Sequence, residues 1–292
     1  GLFLWVGSIL EKFQEKMSKS VRKVVEEARD SGNPELDLQD KQITSLEEVS
    51  GLLSMEYITR LSLPHNRLTR VPPAIANLIN LEILNLFNNI IEELPTSISS
   101  LNKLRILNVG MNRLDALPRG FGSFPVLEVL DITYNNIAEG EALPGNFFML
   151  ESLRALYMGD NDFEVLSPDI KNMRNLQILS LRDNDLIALP REIGELTRLR
   201  ELHIQGNRLQ VLPPEIGQLD LLGNRCCFRL ESNPWLPMIA DQLLLGPSHV
   251  MDLLRNESYK FLYQKHIGAG SQPPPKNFEA KNRKISRKRE TA

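Results

Sequence analysis

Eight asparagines recur in near-register along the chain: Asn66, Asn89, Asn112, Asn135, Asn161, Asn184, Asn207 and Asn233. Successive intervals are 23, 23, 23, 26, 23, 23 and 26 residues. The first seven share one frame, plainest at Leu81-x-x-Leu84-x-Leu86-x-x-Asn89 followed by Ile91-x-x-Leu94-Pro95. One asparagine at such a place reads as a surface loop residue; seven in frame do not. A period of this length marks units that cannot bury an apolar face alone and must stack into a solenoid. Within a unit, Leu107 and Val109 are two apart and point the same way from a short strand. The amide of Asn112 can donate and accept, so it can satisfy backbone groups buried between turns. Leu114 and Leu117-Pro118 then return the chain along the outer side.

This is a leucine-rich repeat pattern. It predicts an α/β fold: a curved parallel β-sheet horseshoe, with strands about 4.8 Å apart and helical caps at both ends. The expected divisions are an extension outside the fold over 1–16, a helical cap over 17–34, and repeats over 35–219. A terminal cap follows over 220–267, then a basic tail over 268–292. Val21, Val24, Val25 and Ala28 form one helical stripe over 18–30, and a polar-outside helix is what the first repeat needs to cover its apolar edge. Leu36-Asp37-Leu38 opens a degenerate first repeat with Lys41 where asparagine is expected. Three extra residues near Ala138–Ala142 predict a bulge in the fifth repeat, and Leu166-Ser167-Pro168 replaces the usual Leu-Pro in the sixth. A last strand is expected at Phe228-Arg229-Leu230, with helices at Ile239–Leu245 and His249–His266.

Charge divides the chain. Residues 268–292 hold seven Lys/Arg and two Glu, whereas the remainder holds 27 Lys/Arg against 35 Asp/Glu, a net of −8. The tail, with Pro273-Pro274-Pro275 and few apolar residues, is expected to be disordered. Its run Lys281–Arg289 could touch nucleic acid, act as a nuclear localisation signal or bind an acidic membrane; no aromatics interleave with the cations of that run, so base stacking, and with it a nucleic-acid partner, is not expected. Leu2–Leu10 is too short to span a bilayer and lacks a signal-peptide plan; the competing expectation for it is an amphipathic surface helix. Cys226 and Cys227 are the only cysteines, and two adjacent thiols cannot build disulfide caps, which points to a reducing compartment. One glycosylation triplet, Asn256-Glu257-Ser258, is weak alone.

No phosphate-binding loop, nucleophile elbow or metal-ligand spacing occurs, and His65, His203, His249 and His266 form no ligand-like pair. No enzyme activity, cofactor or metal is expected. Work falls instead to the open face of the sheet. Counting outward from the inward leucines gives a column Asp37, Ser62, Asn85, Asn108, Asp131, Tyr157, Ser180, His203. The next reads Gln39, Pro64, Phe87, Gly110, Thr133, Gly159, Arg182, Gln205. The last reads Asp40, His65, Asn88, Met111, Tyr134, Asp160, Asp183, Gly206. Phe87, Met111, Tyr134 and Tyr157 form an exposed apolar strip, flanked by Asp131, Asp160 and Asp183 with Arg182 among them. Such a patch marks an interface, and Tyr and Arg are typical anchors. The candidate protein-binding residues are Phe87, Asn108, Met111, Asp131, Tyr134, Tyr157, Asp160, Arg182, Asp183 and His203, suited to a partner with an apolar knob and basic flanks.

Several stretches are more specific than the repeat: Leu117-Pro118-Arg119-Gly120-Phe121-Gly122-Ser123, Leu143-Pro144-Gly145-Asn146-Phe147-Phe148, Leu179–Leu186, Glu201–Leu209 and Lys284-Ile285-Ser286-Arg287-Lys288. Through them the chain, from Met17 to about His266 and in the tail, resembles the Ras suppressor family of intracellular leucine-rich repeat proteins. Residues 1–16 fall outside the match, and Leu221–Ser232 and the fifth-repeat insertion diverge. The resemblance implies a cytoplasmic adaptor at focal adhesions, and the basic tail allows a nuclear fraction. It would bind the last LIM domain of the adaptor PINCH and, through it, integrin-linked kinase and parvin, and damp Ras signalling. Phe87, Met111, Asp131, Tyr157, Arg182, Asp183 and His203 would be the matching contacts. The alternative is a direct regulator of a Ras-like small GTPase or its effector.

Overall fold

A computed structural model describes residues 19–138, 140–276, 278 and 284. The proposed extension over 1–16 lies outside the described residues. Nine short strands form one parallel sheet in strict chain order: β1 Glu35–Asp37, β2 Arg60–Ser62, β3 Ile83–Asn85, β4 Ile106–Asn108, β5 Val129–Asp131, β6 Ala155–Tyr157, β7 Ile178–Ser180, β8 Glu201–His203 and β9 Cys227–Arg229. Register is uniform, with Leu61, Leu84, Leu107, Leu130, Leu156, Leu179 and Leu202 in one column. All seven are fully buried. This is the horseshoe sheet that the asparagine period predicts.

The outer side is built by 3-10 turns, among them Pro73–Asn77, Thr96–Ser100, Pro168–Asn172, Arg191–Glu195 and Pro214–Gln218. Each Leu-Pro step sets φ for a tight turn, and one apolar residue per turn points in: Ile75, Ile98, Phe121, Phe147, Ile170, Ile193 and Ile216, all fully buried. The variant Leu166-Ser167-Pro168 keeps the turn, because Ser167 Oγ accepts from the Asp169 N–H at 3.1 Å and Pro168 moves into the first helical position. The fifth-repeat insertion bulges as expected, as a turn over Gly140–Ala142; the Ala142 carbonyl accepts from the Leu117 N–H at 2.8 Å.

Between these layers the asparagines stitch each repeat to the one before. Asn112 Nδ2 donates to the carbonyls of Leu86 and Val109 at 3.0 Å each, and its Oδ1 accepts from the Ile91 N–H at 3.0 Å. Asn89, Asn135, Asn161, Asn184, Asn207 and Asn233 repeat the pattern. Asn66 serves the degenerate first repeat, accepting from both the Lys41 and Ile43 N–H groups at 3.0 Å. These are the buried backbone groups that would otherwise lack partners.

Helices close both ends. Helix α1, residues 19–31, buries Val21, Val25 and Ala28 on the first repeat. At the far end stand α2 Pro237–Leu245, α3 Pro247–Arg255 and α4 Glu257–Gly268. The sequence reads the last two as one helix over His249–His266; the chain instead breaks at Asn256, which is extended (φ −79°, ψ 136°) and accepts from the Ser258 N–H at 2.8 Å. The apolar spacing of Val250, Leu254 and Tyr259 runs across the break and hides it, while the glycosylation triplet doubles as a helix cap. Cys226 and Cys227 are half-buried free thiols, the first donating to the Asp220 carbonyl at 3.3 Å. No described helix is long and apolar enough to cross a membrane.

Candidate protein-interaction face

Strand register fixes what lines the open side. Flanking each inward leucine, the first outward row is Ile83, Ile106, Val129, Ala155, Ile178, Glu201. Ile83, Ile106, Val129 and Ile178 are half-buried and form an aliphatic band. Counting columns only after the inward leucine missed it, although β-branched residues directly before that leucine were its signal.

The second row, Asn85, Asn108, Asp131, Tyr157, Ser180 and His203, aligns as expected. Several of its members have a local duty as well. Asn85, Asn108 and Asp131 each accept, through Oδ1, from the N–H two residues on, at 3.0, 2.9 and 2.9 Å. This short side chain caps the end of its strand. Burial, then the Glu201 and Asp131 carboxylates, push the Tyr157 phenol above its usual range. His203 Nε2 lies 3.2 Å from Glu201 Oε2.

In the third row, glycine makes room for Arg182. A Cβ on Gly159 would sit 2.9 Å from Arg182 Cγ. Arg182 Nη1 pairs with Asp160 Oδ2 at 2.7 Å and Asp183 Oδ2 at 2.8 Å. The acidic flank expected from sequence is therefore largely compensated: one guanidinium serves two of its three carboxylates, and not Asp131. Burial nevertheless holds the Asp160 carboxyl above its usual range, with Arg182 pulling it back.

The fourth row has an unforeseen backbone. Asp40, His65, Asn88, Met111, Tyr134, Asp160 and Asp183 all lie at φ between 52° and 57°, and Gly206 at 70°. The density of Asp, Asn and Gly in this row was the available signal, since these residues tolerate the left-handed region. Met111 and Tyr134 do not, and each holds this conformation at about 1–2 kcal/mol. A strained backbone that keeps a large side chain in place is a pointer to use.

Phe87, Met111, Tyr134 and Tyr157 are half-buried rather than exposed. On the inner radius of a curved sheet the rows converge, so neighbours shield one another; the His65 ring, for example, meets Phe87 edge-on at 5.7 Å. Among the described residues no group of three His, Cys, Asp or Glu could hold a metal. What the face offers is shape: an aliphatic band beside aromatic and thioether side chains, with a compensated charge cluster at one end.

Comparison with known proteins supports the repeat fold. A family model described as a leucine-rich repeat region matches residues 35–139 and 119–243. Ras suppressor protein 1 of Mus musculus is 69% identical over 272 residues, covering 93% of this chain and 98% of that protein. Its Homo sapiens counterpart is 62% identical over the same shares of both chains. Among solved structures, an internalin from Listeria monocytogenes superposes with a TM-score of 0.61 at 22% identity, covering 74% of this chain and 58% of that one; it is similar in fold.

Proposed function

The chain belongs to the Ras suppressor family of leucine-rich repeat proteins, and on that premise we propose that it is a non-enzymatic adaptor whose concave face grips another folded module. The module is the last LIM domain of PINCH, which would bring the chain to integrin-linked kinase and parvin at focal adhesions and link it to restraint of Ras signalling. A compact zinc module fits a concave sheet, and its apolar surface would meet the aliphatic band. One observation carries this reading: Met111 and Tyr134 keep large side chains on left-handed backbone in the middle of the face, beside Tyr157. A repeat built only for stability would place Asp, Asn or Gly there. The second reading, a direct regulator of a Ras-like GTPase through the same face, is favoured by the relatives' name.

Calorimetric titration of the full-length chain with the purified LIM domain, and in parallel with GTP-loaded Ras, separates the two. Tyr157→Ala is expected to weaken LIM binding by about 1–3 kcal/mol, the range of an interface anchor. Asp131 needs the gentler Asp131→Asn, because alanine would also remove the cap on the Thr133 N–H. Unchanged affinity in both variants removes the face from the account, and binding of Ras alone selects the second reading.

A further inference from the structure

Of the segment after α4, the described residues 271–276 and Lys284 lie on the rim where β6–β8 pass into their return loops. The Pro274 carbonyl accepts from Arg208 Nε at 2.7 Å and also from Nη2. Lys276 pairs with Glu164. Lys284 stands 5.8 Å over the Tyr134 ring and donates to the Asn161 carbonyl at 3.5 Å. Pro274, Pro275 and Lys284 share one groove with Tyr134, Asp160 and Arg208.

The chemistry explains the contact. With the segment in place the Arg208 side chain is only 11% exposed. Its donors are shared among Glu164 Oε2 at 3.5 Å, the Asp185 carbonyl at 3.5 Å and the Pro274 carbonyl, as a guanidinium covered to that depth requires. A proline run suits this role: it is already extended, presents bare carbonyls and loses little entropy on docking. Its flanking lysines meet a rim where Glu164, Asp160, Asp183 and Asp185 outnumber Arg182 and Arg208, so the pairing of Arg182 with Asp160 and Asp183 leaves the groove net acidic. The link is short, since α4 ends at Gly268, six residues before Pro274. A tether of that length holds the segment at an effective concentration on the order of millimolar.

We infer that the Pro-Lys segment and Lys284 form an intramolecular strap that occupies the acidic end of the concave rim and competes with any ligand of that groove. It covers Tyr134 and Asp160, so it deepens the adaptor reading by giving one end of the same face a built-in competitor. Being held partly by charge, the strap loosens as the screening length falls from about 8 Å at physiological salt to about 3 Å at 1 M.

The test needs no LIM domain, so its failure and that of the adaptor reading remain distinct. A fluorescent peptide of residues 271–288 is titrated into the full-length chain and into full-length chain carrying Lys276→Glu with Lys284→Glu, whose own tail the acidic rim repels. The peptide is expected to bind the double variant about 3–10-fold more tightly than the parent chain, as tethered competition requires. Adding Arg208→Ala, or separately Glu164→Gln, should abolish that binding, with melting temperatures recorded for each chain. Equal affinity for parent and double variant, or binding to neither, overturns the strap.

Discussion

Replacing Asn135 by alanine is expected to lower the unfolding free energy by about 3–5 kcal/mol, read from urea titration. The side chain is fully buried. Its Nδ2 donates to the carbonyls of Val109, Ile132 and Thr133 at 3.1, 3.0 and 3.3 Å, and its Oδ1 accepts from the Leu114 N–H at 3.0 Å. Alanine strands the Leu114 N–H where water does not reach, at about 1–3 kcal/mol. The Val109, Ile132 and Thr133 carbonyls keep Asn112 Nδ2, Asn161 Nδ2 and the Met111 N–H as donors, so there the loss is of second bonds, at about 0.5–1.5 kcal/mol each. The damage is central, and a solenoid passes cooperativity only between neighbours. Asn233 provides the control. It makes equivalent bonds to Ile204, Leu230 and Leu209 at 2.9, 3.1 and 3.1 Å, but it is half-buried in the last turn. Water can replace part of what its alanine removes, so a loss of about 1–2 kcal/mol is expected there. Equal losses at both positions would show that burial does not set the cost.

Tyr259→Phe is expected to cost about 2–4 kcal/mol although it removes one oxygen. The Tyr259 hydroxyl donates to the Leu212 carbonyl at 2.7 Å and accepts from the Leu212 N–H at 3.0 Å. This one group fastens α4 to the last repeats, and the residue is 1% exposed. Phenylalanine fits the space but strands both backbone groups. Burial also pushes the phenol far above its usual range. Above about pH 10 the unfolded chain gives up this proton while the folded chain keeps it. The folded state then binds more protons, so stability falls as pH rises, by up to about 1.4 kcal/mol per unit from this group. Urea midpoints from about pH 9 to about pH 11 should therefore fall less steeply in Tyr259→Phe than in the parent chain. An unchanged slope would move the alkaline loss to the half-buried Tyr263 or Tyr157, whose phenols are raised too.

Legibility followed periodicity. The asparagine interval and the alternation at Leu84 and Leu86 foretell the sheet, its register and the columns that follow each inward leucine, because a strand's side chains alternate by geometry. Tyr259 shows what such patterns hide: the sequence reads it as one apolar member of a helix stripe, and its decisive contact is a backbone 47 residues away. Arg182 shows the same limit for charge. Its column was legible, but its choice of Asp160 and Asp183 over Asp131 depends on the space left by Gly159. The strap lay beyond reach because composition reports what a proline-lysine segment cannot bury, and says nothing of an acidic rim brought within its radius.

The left-handed row carries a conflict of interest. At Met111 and Tyr134 the residue that suits the main chain and the residue that suits a ligand are different, so any drift toward the easier backbone erodes recognition while leaving the scaffold sound. Loss of grip in this protein can therefore arrive with no loss of thermal robustness, and hardy relatives with glycine or asparagine at these two places would be the ones to suspect of having changed their partner.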